Sequence, residues 1–411
     1  MWAASSDRLS PRGGAALSSL VMRFTPTELT ADELALQTEV RAFLADELPP
    51  GSHEPGLGMA ARHDKAFSKK MAERGWVGMA LPKEWGGSAK TAVDRFIVVE
   101  EMLRWGAPVG YHWVADRQTG NIINKFGTDE QRERFLPDIC RGELGFSIGM
   151  SEPDSGSDLA SVSTRADRDD GGWIVNGTKI WTSNAHTNDW FICLLRTTPT
   201  EDGGNKREGL SQVLVDLHNT DGLELNPIPF LNGEHHFNEV SFTDVFVPDE
   251  NVVGQAGMGW NQNTTEMAYE RGGPDRWLSP FSTVEQLLRE TQRGDMAGTP
   301  LHDRVVELFG ELTARWWAMR NLSLSVSRLI DAGEAPSIES SLVKEMGTRF
   351  EIEVIEKLVE LIDEELTLES ESLFQRLLAQ CVLTGPGNTI RGGTIEILRS
   401  VAAKGLQGLP A

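Results

Sequence analysis

The stretch Gly149-Met-Ser-Glu-Pro-Asp-Ser-Gly-Ser-Asp-Leu-Ala-Ser161 separates two parts of the chain that are built differently. Its small and hydroxylated residues can turn backbone N–H groups and Ser hydroxyls toward an anion or the edge of an aromatic heterocycle, as a loop that grips a cofactor must. The same composition also makes an ordinary polar turn, and composition alone leaves both readings open. Just before it, Gly145-Phe-Ser147-Ile-Gly149 matches G-x-S-x-G. A nucleophile elbow needs a helix directly after the Ser, however, and Pro153 with Asp154-Ser-Gly-Ser forbids one.

Toward the N-terminus the pattern is helical. From Pro26 to Leu48 the residues Leu29, Leu34, Leu36, Val40, Phe43 and Leu44 recur mostly at three- and four-residue steps, and Thr30 with Glu33 makes a capping box. Further helices are expected at Asp64–Arg74, Ala92–Trp105, Gln118–Phe126 and, after the cap-like Thr128, Asp129–Cys140. Toward the C-terminus, Trp173-Ile-Val, Trp190-Phe-Ile-Cys-Leu-Leu, Gln212-Val-Leu-Val-Asp-Leu and Glu239-Val-Ser-Phe are short β-type runs separated by Gly, Asn, Asp and Pro. Helical spacing returns beyond Trp260, clearest in the stripe Leu342, Met346, Phe350, Val354, Leu358 and Leu361. Residues 293–299 and 363–372 read as loops, and no internal repeat is visible. The expected organisation is an α+β chain: a tail over 1–22, a helical domain over 23–143, a β domain over 144–254 and a helical bundle over 255–411. Met22 is an alternative start, since ordinary helical character begins there.

With 39 Lys and Arg against 61 Asp and Glu, the 411-residue chain carries a formal net charge of −22, which repels phosphate backbones and anionic lipid. The hydrophobic fraction is 39%, without a run near the length of a membrane-spanning helix, so a soluble protein is expected. Cys140, Cys193 and Cys381 are scattered without C-x-x-C spacing, which points away from a disulfide framework or zinc site and toward a reducing cytoplasm. His235-His236 cannot share one face of a regular element and are expected in a surface turn rather than at a metal. Neither a P-loop nor a G-x-G-x-x-G after a strand is present.

The spacing Met150-Ser-Glu-Pro-x-x-Gly-Ser-Asp resembles the first signature of the acyl-CoA dehydrogenase family of flavoproteins. The resemblance continues through Gly75-Trp-Val-Gly-Met-Ala-Leu-Pro-Lys-Glu-Trp-Gly-Gly87, Phe126-Gly-Thr-Asp-Glu-Gln131 and Asn176-Gly-Thr-Lys-Ile-Trp-Thr-Ser-Asn184. It extends over Phe237-Asn-Glu-Val-Ser-Phe-Thr-Asp-Val-Phe-Val-Pro248 and Gly392-Gly-Thr-Ile-Glu-Ile-Leu-Arg399. It implies an N-terminal helical domain, a central β domain and a C-terminal four-helix bundle, with FAD as cofactor. It also implies oxidation of an acyl-CoA to the trans-2-enoyl-CoA, with electrons passed to an electron-transfer flavoprotein.

For individual residues the resemblance implies that Ser151, Gly156, Ser157, Trp181, Thr182, Ser183 and Thr394 bind the cofactor. Ser151 contacts the flavin ring, Ser157 reaches the pyrophosphate or the CoA chain, Trp181 covers a flavin face and Ser183 hydrogen-bonds near N5. An indole suits stacking on the isoalloxazine, and a hydroxyl suits the edge where hydride arrives. Familiar members carry the catalytic Glu in a C-terminal Glu-Gly-Thr motif, but this chain reads Arg391-Gly-Gly-Thr394. Isovaleryl-CoA dehydrogenase and its relatives instead carry a Glu directly before an Arg on the first helix after the β domain, where this chain has Ala268-Tyr-Glu-Arg271. Glu270 is therefore the expected base, Arg271 a CoA contact, and the Gly392 N–H a partner of the thioester oxygen. Other rivals to the dehydrogenase reading are an oxidase or monooxygenase of the same fold, or a non-catalytic subunit that completes a partner's flavin site.

The family's Arg-x-x-Phe-Gly and Gln-x-x-Gly-Gly motifs, which hold the far end of FAD in a neighbouring subunit, are both missing. The corresponding stretches read Arg289-Glu-Thr-Gln-Arg-Gly-Asp-Met-Ala-Gly298 and Glu371-Ser-Leu-Phe-Gln-Arg-Leu-Leu-Ala-Gln380. The chain thereby resembles the base-bearing member of actinobacterial α2β2 pairs that act on bulky steroid-derived CoA esters. A homologous partner subunit is expected.

Overall fold

In the computed structural model of the protein, the structure describes residues 23–25, 27–58, 62–201, 204–292 and 300–407; the side chains of 266–270 and 300 lie outside that description. The expected tail and the whole of the expected loop 293–299 also fall outside the described residues.

Local capping starts the helical part. Helix α1 (Ala31–Glu47) is opened by the Thr30–Glu33 capping box, and its buried Val40, Phe43 and Leu44 face the core. Then come α2 (Lys65–Glu73), α3 (Ala92–Arg104), α4 (Gly120–Phe126) and α5 (Asp129–Cys140), with capping boxes opening α3 (Thr91, Asp94) and α5 (Thr128, Gln131). The helix expected from Gln118 differs at its start, because a widened π turn over Ala115–Thr119 precedes α4. Every side chain of that turn is buried, and Asp116 there accepts from the Gly78 amide at 2.7 Å.

The central sheet comprises β1 (Phe146–Gly149), β2 (Arg165–Asp169), β3 (Gly172–Ser183), β4 (Trp190–Arg196), β5 (Leu210–Asp216), β6 (Leu223–Pro229) and β7 (His235–Pro248). Its order is β1-β4-β2-β3-β7-β6, with β5 pairing β4. Val175, Phe191, Cys193, Val213, Val240 and Val245 pack its own apolar core. His235 and His236 open β7 rather than occupying a surface turn. Successive strand residues point to opposite sides, and each imidazole finds a ring partner: His235 stacks on His186 at 3.7 Å between centroids, His236 on Phe230 at 5.2 Å.

The C-terminal part contains α6 (Gly259–Glu270), α7 (Phe281–Gln292), α8 (Pro300–Asp331), α9 (Ser337–Val359), α10 (Leu373–Thr384) and α11 (Ile395–Leu406). In α9 the expected stripe is only partly buried: Phe350, Val354 and Leu358 are covered, but Met346 is 44% exposed. Four-residue steps drift away from a 3.6-residue period, so the stripe rotates out of the core at its N-terminal end. Val343, Lys344, Gly347, Thr348 and Glu351 are buried there instead. Cys140, Cys193 and Cys381 are buried free thiols. Among the described residues no helix is long and apolar enough to cross a membrane.

Candidate active site

The first half of the site is built on β3. Antiparallel pairing with β7 runs through Lys179↔Val240 and resumes at Thr182↔Asn238, so Ile180 and Trp181 form a bulge. Trp181 sits at φ +61° with its indole 53% exposed, edge-on to Phe237 at 5.7 Å. A bulky residue at positive φ costs on the order of 1–3 kcal/mol, and such outliers cluster at ligand sites. Thr182 is fully buried, and its hydroxyl meets no hydrogen-bond partner among the described residues. The Ser183 carbonyl accepts from Ser147 Oγ at 2.7 Å, and Ser147 in turn accepts from Asn188 Nδ2 at 2.9 Å.

A buried ion pair ties the loop after β1 to this bulge. Lys179 Nζ donates to Glu152 Oε1 at 2.7 Å and to the Met150 carbonyl at 3.2 Å, while the Ile180 amide donates to the Ser151 carbonyl at 3.0 Å. The Glu152 carboxylate also accepts from Ser163 N at 2.6 Å, Ser163 Oγ at 2.8 Å and Thr164 N at 2.9 Å. Burial alone would raise its pKa, but the Lys179 ammonium and these donors hold it down to about 2. Ser155 closes the loop by donating to the Asp158 carbonyl at 2.7 Å. Gly156 and Ser157 are exposed at its tip, and a Cβ at Gly156 would meet nothing within 4 Å. An exposed indole, an unmet buried hydroxyl and open space over a Gly-Ser tip fit the ring and polar edge of a flavin.

The second half is built on the helical bundle. Glu270 is the last residue of α6, and its side chain lies outside the described residues. Arg271 caps the helix and is buried, and a Cβ at Gly393 would stand 3.4 Å from Arg271 Nη2. Gly392, at φ +64°, covers the Arg276 guanidinium. Thr394 caps α11 through its side chain, which accepts from the Ile397 amide. Arg271, Gly392 and Thr394 are thus brought to one place, while Trp181, Thr182 and Ser183 lie on β3 and Ser151 in the loop bonded to it.

Sequence reasoning missed the ion-pair frame beneath this second half. Asp275 Oδ2 accepts from Arg117 Nη1 at 2.8 Å and pairs with Arg276 Nε at 2.9 Å, all three residues buried. Against the cost of burial, Arg117, Arg276 and Arg391 hold the Asp275 carboxyl below its usual range. Arg391 Nη2 donates to the Asp275 carbonyl at 3.0 Å, to Ser279 Oγ at 2.9 Å and to Glu351 Oε2 at 3.1 Å. No spacing signals this frame, since its members come from the π turn, the turn after α6, α9 and the loop before α11.

Three domain profiles match the chain: the N-terminal domain of acyl-CoA dehydrogenase over residues 30–143, the middle domain over 147–245 and the C-terminal domain over 257–407. The chain belongs to the acyl-CoA dehydrogenase family, a family of FAD-binding oxidoreductases. It is 35% identical over 385 residues to acyl-CoA dehydrogenase FadE34 of Mycobacterium tuberculosis, covering 92% of this chain but 49% of that one; it spans about half of FadE34's length. Among solved structures it is similar to the steroid acyl-CoA dehydrogenase Tcur3481-Tcur3483, with a TM-score of 0.81 and 27% identity over 93% of this chain and 99% of that one. The ChsE4-ChsE5 complex from Mycobacterium tuberculosis aligns with a TM-score of 0.80 and 28% identity over 94% and 100%.

Proposed function

We propose that the chain is the base-bearing subunit of an acyl-CoA dehydrogenase acting on a bulky, branched, cyclic or steroid-derived thioester, with an electron-transfer flavoprotein as acceptor. The observation that carries this reading is the Gly392 site: it offers no carboxylate, its φ is +64°, and the space a side chain would enter is filled by Arg276. The Glu at the end of α6, one residue before the buried Arg271 that reaches Gly393, is the carboxylate left to serve. FAD, when bound, supplies the hydride acceptor for the β carbon. Glu270 removes the α proton as a positioned general base. The Gly392 N–H steadies charge developing on the thioester oxygen, and no side chain is needed for that. Ser151, Gly156, Ser157, Trp181, Thr182, Ser183 and Thr394 hold the cofactor, and Ser157 and Arg271 hold the CoA chain.

The partner subunit follows from the far end of the cofactor. Arg289 is paired with Glu285 at 3.0 Å, Gln380 donates to Glu54 at 2.9 Å, and Arg304 donates to the Glu360 carbonyl. Arg293 lies outside the described residues. Loss of one charge-assisted phosphate contact, roughly 1.5–3 kcal/mol, weakens retention about ten- to hundredfold. Expressed alone, the chain is expected to be flavin-poor. Coexpression with a homologue that carries Arg-x-x-Phe-Gly should restore yellow colour, an α2β2 mass and anaerobic bleaching by a panel of CoA thioesters. A fully flavinated, active homotetramer refutes the half-site reading, peroxide release in air favours an oxidase, and a heteromer that no thioester bleaches favours a non-catalytic subunit.

A further inference from the structure

Arg276 is fully buried, yet the function above gives it no task. A Cβ at Gly392 would stand 3.0 Å from its Nη1, 3.1 Å from Nη2 and 3.2 Å from Cζ, near-equal distances that place the flat guanidinium against the Gly392 backbone. On its other side Nε is fixed by Asp275 at 2.9 Å, and that carboxylate is shared with Arg117 at 2.8 Å. The neighbouring Arg391 is fastened to Asp275, Ser279 and Glu351, so the loop cannot lift from the guanidinium without breaking buried ion pairs. A fixed charge in a water-poor site acts strongly on charge that develops nearby and needs no reorganisation as the reaction proceeds.

We propose that Arg276 is a positioning residue for the thioester, holding the Gly392 backbone in its left-handed conformation and setting a fixed positive charge behind the Gly392 N–H, where enolate-like charge develops on the thioester oxygen. This role rests on the reading that Gly392 N–H receives that oxygen. It also assigns the glycine a reason: a side chain at 392 would crowd the guanidinium as well as strain the backbone.

The test compares two probes by calorimetry on the FAD-loaded protein with its partner subunit. Acetoacetyl-CoA can bind as an enolate through its acidic C2 proton, and crotonyl-CoA has no such proton. Arg276→Met should weaken acetoacetyl-CoA at least about tenfold more than crotonyl-CoA, with Arg276→Lys in between, because only the first probe carries the charge being stabilised. Should Arg276→Met fail to fold through the Asp275 it strands, Arg276→Lys and the double variant Arg276→Met with Asp275→Asn carry the same comparison. Equal weakening of both probes in the folded variants, or none, overturns the role. Glu270→Gln separates the two readings: if it retains turnover the base assignment fails, while the affinity ratio still decides Arg276.

Discussion

Replacing Glu152 with Ala strands the Lys179 ammonium, which is 0% exposed, and leaves the Ser163 amide, Ser163 hydroxyl and Thr164 amide without their acceptor. Removing one partner of a buried pair costs about 3–5 kcal/mol, most of it the penalty of an uncompensated charge. If the β domain over 144–254 melts as a unit, that is a loss of roughly 13–21 °C in Tm. The same change frees the loop that carries Ser151, Gly156 and Ser157 from β3, so flavin retention should fall with it. Two assays separate the parts: thermal unfolding of the apoprotein, and the flavin-to-protein absorbance ratio of the holoprotein. A further variant, Glu152→Met with Lys179→Met, should recover most of the lost stability, because an apolar pair leaves no stranded charge. The pH dependence has a definite sign. A carboxyl held at about 2 in the fold and at 4.5 when unfolded adds stability that is fully present above about pH 4.5 and is lost as pH falls toward 2. Glu152→Gln should flatten that acid limb. Unchanged Tm and flavin content in Glu152→Ala would refute the reasoning.

Trp181→Ala should leave apoprotein stability within about 1 kcal/mol, because the indole is 53% exposed, while weakening FAD by a stacking loss of about 0.5–1.5 kcal/mol plus lost buried area. A drop in apoprotein Tm with unchanged FAD affinity would instead make it a core residue. His112, wholly buried beside Ser68 Oγ at 2.8 Å, has its pKa pushed down to about 4 by burial. It is neutral in the fold and protonated more readily when unfolded, so stability should fall as pH drops from about 6.5 toward 4, and His112→Asn should flatten that limb in pH-resolved thermal melts. An unaltered pH dependence in the variant contradicts the assignment.

Much of the architecture was legible where its cause is local. The Thr30–Glu33 box and the Thr128 cap sit within four residues of what they stabilise, and both helices start where those caps place them. The π turn before α4 was not legible, since its buried Asp116 is positioned by Gly78 and Arg95 from elsewhere in the chain. Strand β6 escaped notice because it is an edge strand, half exposed and interrupted by Pro227 and Pro229, with little apolar alternation to read. At the site, the residue types came from the resemblance of motifs, while their geometry came from pairing at a distance. The bulge that turns Trp181 outward depends on the register with β7, and the Arg117–Asp275–Arg276 frame joins residues 158 positions apart.

The most direct test of the account is the turnover of Glu270→Gln in the flavin-loaded heteromer, measured with the thioester that bleaches wild-type protein fastest. FAD content and Tm should be unchanged and kcat lowered by about 10²–10⁴-fold, the usual worth of a positioned general base. A variant that keeps more than about a tenth of wild-type kcat would contradict it.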